Sequence, residues 1–205
     1  LHKPLRVSER GPGRFAVSGS PVDCVYIAMH SLCPRPPDLV VSGINDGYNL
    51  GTDVFYSGTV GAAVEGGLRG VVGMAISTEP GRKDMSNVVA IASKVVSAGL
   101  AARMPAGSVV NVNIPRDCDG SFAWTHLGKR FYGDDVHERE DPRGRSYFWI
   151  GGGHIGMDDT PGTDCNAIAK GLASLTPLSL DRTGREALDS ADALWDVPDL
   201  KREDS

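Results

Sequence analysis

Long hydrophobic runs are missing from this 205-residue chain, and no signal-like stretch opens it. Neither a membrane-spanning helix nor export is expected. The four cysteines, Cys24, Cys33, Cys118 and Cys165, have no close pairing, so no zinc or redox motif is present. They read as reduced thiols, and the expected location is cytoplasmic. His126, His137 and His154 lie far apart, without the spacing of a zinc site. The run from Asp158 to Asp164 lacks the spacing and closing Glu of an EF-hand loop. No Gly-x-Ser-x-Gly elbow frames Ser57, which argues against a serine hydrolase. Internal repeats and low-complexity segments are absent as well. A net charge of -5 argues against a nucleic acid polymer or an anionic membrane as the main partner. It does not oppose a small phosphate ligand, whose site is set by local donors.

What is present is ordinary for a globular protein: 40% apolar and 23% charged residues. The length suits one α/β domain with an appendage. Leu5 to Val7 and Phe15 to Val17 flank the turn Arg10-Gly11-Pro12-Gly13 and predict a short hairpin. Pro21 to Leu32 reads as a helix, with Asp23 as a charge in its first turn. Leu39 to Val41 and Val71 to Ser77 read as buried strands. Ser86 to Arg103 reads as a helix with a stripe of Val88, Val89, Ala92, Val95, Val96 and Leu100. Val109 to Ile114 is a strand whose alternation sets Val110, Val112 and Ile114 on one side and Asn111 and Asn113 on the other. This order predicts a largely parallel sheet with helices on both faces.

After Pro115 the pattern changes. Phe122 to Trp124 and Tyr147 to Ile150 read as strands joined by the charged loop His137 to Gly144. Asp164 is expected to cap a short helix over Cys165 to Lys170. Ala173 to Leu180 reads as a returning strand, and Thr183 to Trp195 as a helix with a Thr183/Glu186 capping box. Three regions follow: an α/β core over 1–115, a hairpin segment over 116–165, to which the resemblance given below adds subunit association, and a returning strand with a C-terminal helix over 166–205.

The stretch with most chemistry is Ser42-Gly43-Ile44-Asn45-Asp46-Gly47-Tyr48-Asn49-Leu50-Gly51, followed by Tyr56-Ser57-Gly58-Thr59-Val60. It reads as the end of a strand, a polar loop and the start of a small-residue helix. Ligands bind at the carboxyl ends of strands in open α/β sheets. Glycines such as Gly43 let the backbone approach a ligand closely. Ser57 or Thr59 can cap the helix, whose N-terminal N–H groups suit a phosphate. Each piece also has a plain reading, as a turn or as a cap.

These residues closely resemble the SurE family (survival protein E, the 5'/3'-nucleotidases). The resemblance extends to Ser18-Gly19-Ser20-Pro21-Val22-Asp23-Cys24-Val25, Asn111-Val112-Asn113-Ile114-Pro115, Glu140-Asp141-Pro142-Arg143-Gly144, Thr163-Asp164 and Ser174-Leu175-Thr176-Pro177-Leu178. It implies a three-layer Rossmann-like sheet with a protruding β-hairpin and a helical tail. It implies metal-dependent hydrolysis of nucleoside monophosphates, with one Mg²⁺ or Mn²⁺ per subunit. By the same resemblance Asn45 is a metal ligand, and Asn49, Ser57 and Thr59 are catalytic. Gly43, Asn49, Ser57, Gly58 and Thr59 are the phosphate-binding set. Homodimers or homotetramers are implied through residues 116–165 and the C-terminal helix. The family's Asp-Asp metal ligands and its serine-bearing loop have no counterpart here, and neither Asp134-Asp135 nor Asp158-Asp159 takes that role. The 205-residue polypeptide is therefore expected to be inactive by itself. A non-catalytic nucleotide- or phosphate-binding module is the alternative.

Overall fold

A computed structural model describes residues 4–81, 84–102, 104–133, 136–150 and 156–187. Strands β1 (Val7–Gly11) and β2 (Arg14–Val17) form the expected antiparallel hairpin. Helix α1 (Pro21–Ile27) starts at Ser20, whose Oγ accepts from Asp23 N–H while the Asp23 carboxylate accepts from Ser20 N–H. Asp23 is thus half of a capping box. The helix ends earlier than the pattern predicts, in a π-turn over Ala28–Leu32.

Strand β3 (Leu39–Asp46) leads through a 3₁₀ turn (Gly51–Phe55) into α2 (Gly58–Leu68). Strand β4 (Val72–Thr78), helix α3 (Ser86–Ala101) and strand β5 (Val109–Ile114) follow. Next come β6 (Phe122–Trp124), β7 (Arg130–Phe131), β8 (Val136–Glu140), β9 (Ser146–Ile150) and β10 (Gly156–Met157). Helix α4 (Asp164–Ala169) and strand β11 (Ala173–Leu178) complete the named elements.

The main sheet has the order β3-β4-β5-β11-β6. Strands β3, β4 and β5 are parallel, β11 runs antiparallel to β5, and β6 is parallel to β11. On one face, Val88, Ile91 and Ala92 of α3 pack against Ile76, Val110, Val112, Ile114 and Leu175. On the other, Val60 and Ala63 of α2 pack against Ala75 and Val109. The result is the three-layer α/β arrangement, with a mixed and mostly parallel sheet. Helix α2 sits very close to the sheet: a Cβ on Gly73 would lie 2.1 Å from Ala63 O, and one on Gly66 would lie 2.8 Å from Val40 Cβ.

Several expectations need correction. Strand β3 is not buried on both faces: it is an edge of the main sheet, and only Val40 in it is buried. It also runs on through Asp46, because a shift of register between Ser42 and Asn45 lets it keep pairing with β4. In α3, Val89 and Leu100 are exposed, so its buried stripe is narrower than the pattern predicts. Phe122–Trp124 pairs with β11 in the main sheet, and the charged run His137–Glu140 is itself the strand that pairs with β9. The cap of α4 is Thr163, whose Oγ accepts from Asn166 N–H, and Asp164 is fully buried instead. Helical backbone begins at Arg185, and the rest of the expected C-terminal helix lies outside the described residues, as do Asp134, Asp135 and His154.

Candidate functional site

The parallel strands β3, β4 and β5 end together, and their last turns carry polar side chains in register. Asn45 pairs with Ser77, and Ser77 with Asn113. One step earlier Ala75 pairs with Asn111. Side chains paired across a sheet share a face. Ala75 packs with α2, so this polar row lies on the α2 side. It sits at the carboxyl end of the parallel strands, where an α/β sheet opens to ligands.

The row holds the loop that follows β3. Asn113 Oδ1 accepts from Asn49 N–H at 2.8 Å. The Asn49 carbonyl accepts from Asn111 Nδ2 at 2.8 Å and from Asn113 Nδ2 at 3.0 Å. Asn49 Nδ2 donates to Ser77 Oγ at 2.7 Å. All four residues are buried. Asn49 is thereby fixed on both sides of its backbone, and its Nδ2 keeps a second hydrogen for another acceptor. Asn45 Nδ2 donates to Gly47 O at 2.8 Å, which turns the side chain onto its own loop. Gly43 has φ +121°, and a Cβ there would lie 2.2 Å from Ile76 O. Contact with β4 is thus enough to require glycine at this position.

Further along, the buried Asp164 carboxylate accepts from the backbone N–H groups of Gly51, Gly128 and Cys165, each at 2.8 Å. It ties the loop after β3 to the segment before β7. Its neighbour Cys165 is fully buried, and burial, followed by the Asp164 charge, pushes its thiol up to about 12. That thiol is inert at neutral pH. Ser57 is the cap of α2, its Oγ accepting from Val60 N–H at 3.2 Å. Gly58 and Thr59 form the first turn of that helix, so their N–H groups have no intrahelical acceptor.

Asn49 and Ser57 meet in one cleft of about 400 Å³, lined also by Tyr48, Asp53, Tyr56, Arg130 and Tyr132. Asn45, Gly43, Gly58 and Thr59 are not among its lining residues. A larger cavity of about 530 Å³ lies between α3 and the far sheet face. Apolar groups line it, among them Met74, Val110 and Trp124, and Lys94 is the one charged residue among the described residues that line it. The smaller cleft is the better candidate, because polar groups converge there.

The family model described as Survival protein SurE matches residues 1–134. The chain belongs to the SurE family. A 5'-nucleotidase SurE from Sorangium cellulosum is 47% identical, over 88% of this chain and 72% of that protein. A 5'-nucleotidase SurE from an Anaeromyxobacter species is 46% identical, over 99% of this chain and 81% of its own length. The crystal structure of the SurE protein from Aquifex aeolicus superposes with a TM-score of 0.76 at 33% identity, covering 95% of this chain and 81% of that one.

Within this SurE chain, no group of three His, Cys, Asp or Glu side chains among the described residues could hold a metal. Asn45 offers one neutral oxygen. Hard divalent ions are usually held by several oxygens that include carboxylates. The residues described here do not by themselves fit such an ion. Sequence reasoning missed Asp53, Arg130, Tyr132 and Asp164 as parts of the site. It placed Asn111 and Asn113 on the polar side of their strand without a role. The signal for the asparagines was there: two amides at alternate positions of an otherwise apolar strand must find buried partners. Nothing local marks Asp53 or Arg130, which meet across 77 residues of sequence.

Proposed function

We propose that this chain carries the phosphate-binding part of an enzyme that hydrolyses nucleoside 5'-monophosphates to nucleoside and phosphate. One observation carries it: the Asn45, Ser77, Asn113 row holds the Asn49 loop beside the Ser57-capped start of α2, in the cleft at the strand ends. The activity named for the relatives supports the same reading.

In this reading the phosphate lies at the N-terminus of α2. The N–H groups of Gly58 and Thr59 and the helix dipole face its negative oxygens. Ser57 keeps a hydroxyl hydrogen to donate while its oxygen serves as the cap. Asn49 Nδ2 donates its second hydrogen, and its fixed backbone keeps that donor in place as charge builds on the phosphoryl oxygens. Thr59 adds a hydroxyl one residue into the helix. Asn45 Oδ1 would be one ligand of the divalent ion that the resemblance implies, Mg²⁺ or Mn²⁺ at one per subunit, which would polarise the phosphate when bound. A second reading, a nucleotide-binding module without turnover, keeps the same helix-terminus site and needs no metal.

No described helix is long and apolar enough to cross a membrane, and a cytoplasmic location is proposed with the rest. The test is phosphate release from a panel of nucleoside monophosphates with Mn²⁺. The protein is expected to release phosphate and to lose that activity with Asn45→Ala. Nucleotide binding without phosphate release would establish the binding-module reading instead.

A further inference from the structure

Beside Asn49 and Ser57 the cleft has a second, aromatic wall. Tyr48, Tyr56 and Tyr132 line it with Asp53 and Arg130. Tyr56 directly precedes the Ser57 cap and is 91% exposed. A single exposed ring needs no explanation elsewhere on a surface. This one stands on the rim of the cleft, one residue from a helix N-terminus.

The rest of the wall is costly to build. Arg130 Nη1 meets Asp53 Oδ2 at 2.5 Å, with side chains only 14% and 13% exposed. The Tyr132 hydroxyl donates to Asp53 Oδ1 at 2.5 Å, and Leu50 N–H donates to Oδ2 at 3.4 Å. The guanidinium lies 5.2 Å from the Tyr132 ring centroid. Arg130 Nε is enclosed without an acceptor among the described residues. A buried ion pair gains little over apolar packing, and an enclosed donor without a partner costs stability. The wall therefore stabilises little. What it does is hold a planar cation and an aromatic ring at one place in the cleft. It also engages the Asp53 carboxylate fully, so that a phosphate nearby does not meet a bare negative charge.

Given the nucleotide reading above, we propose that this wall is the nucleoside-recognition half of the site. The base of a nucleoside monophosphate stacks on the Tyr56 ring, beside the surface fixed by Arg130, Asp53 and Tyr132, while the phosphate lies at Ser57. Every base has a π face, so stacking selects nucleotides over aliphatic phosphates rather than one base over another.

The test is calorimetric titration of the 205-residue chain with adenosine monophosphate and, separately, with glycerol phosphate, which has no ring. Tyr56→Ala is expected to weaken the nucleotide by about tenfold, within the range for loss of one stacked base, and to leave glycerol phosphate unchanged. Tyr56→Phe keeps the ring and is expected to keep the affinity. Unchanged nucleotide affinity in Tyr56→Ala, with glycerol phosphate still bound, overturns the stacking role and leaves the phosphate site standing. Equal weakening of both ligands also overturns it, because the ring then acts on the phosphate end. Failure of the unaltered chain to bind glycerol phosphate overturns the phosphate site, and the base assignment falls with it.

Discussion

Asn113 shows how one buried amide sets the site. Its side chain accepts from the N–H of Asn49 and donates to the carbonyl of the same residue. Truncation to Ala leaves the buried Asn49 N–H without its acceptor, which costs about 2 kcal/mol. Asn113→Ala is therefore expected to lower the denaturant midpoint and to weaken phosphate binding together, because the loop loses its anchor. Stability lost with phosphate affinity intact would separate Asn113 from the site. Tyr132 makes a second prediction at this scale. Burial, and then the hydrogen bond to Asp53, push its hydroxyl from 10.0 up to about 12. About half of the residue is exposed, so the effect belongs to the hydroxyl end that meets Asp53. The folded chain then holds this proton more tightly than the unfolded chain. Its contribution to stability is complete below pH 10 and is lost as pH rises towards about 12. The difference in stability between the parent chain and Tyr132→Phe should be flat below pH 10 and shrink above it. A flat difference across that window would show that the hydroxyl is not held as described.

Helix α2 works as an element because small residues let it lie against the sheet. Gly73 on β4 meets the Ala63 carbonyl, and Gly66 on α2 meets Val40 of β3. The close approach fixes where the N-terminus of α2 falls relative to the strand ends. Gly73→Ala is expected to cost about 2–3 kcal/mol by overpacking, and to displace the Ser57 end of the helix. Thermal unfolding reads the first effect, and phosphate titration reads the second. A Gly73→Ala chain of normal stability would mean that α2 is free to shift. The glycine and alanine content of this helix was legible in the sequence, as were the strand before it and the Ser57 cap. The edge position of β3 was not, since Leu39-Val40-Val41 reads the same at an edge as in the middle of a sheet. The pairing of β8 with β9 was hidden for another reason. His137–Glu140 is charged and exposed, and a strand with no buried face shows no apolar alternation to read. Asp164 misled through its own neighbourhood: Thr163 and Asp164 both suit a helix start, and only the loops carrying Gly51 and Gly128 decide which one caps.

At the scale of the whole molecule, the β8–β9 hairpin exposes a run of large apolar side chains. Every residue of both strands is exposed, Trp149 to 61% and Ile150 to 86%, with Tyr147 and Phe148 beside them. The same hairpin carries Glu138, Arg139 and Glu140, so it combines an aromatic patch with charges of both signs. An isolated two-stranded hairpin is at best marginally stable in water. Aromatic side chains with Arg at their edge are the composition of an interface core and its rim. A second copy of this chain is the partner that the family resemblance implies, and two hairpins packed together would cover both patches at once, as an isologous contact requires. Replacing Trp149 and Ile150 by Ser is then expected to shift the sedimentation mass from a dimer or tetramer towards the next smaller species at equal concentration. The Asn49 and Ser57 cleft contains no hairpin residue, so phosphate affinity per chain should stay the same. An unchanged mass would place the subunit contact elsewhere. A fall in both mass and phosphate affinity would mean that the partner copy completes the site.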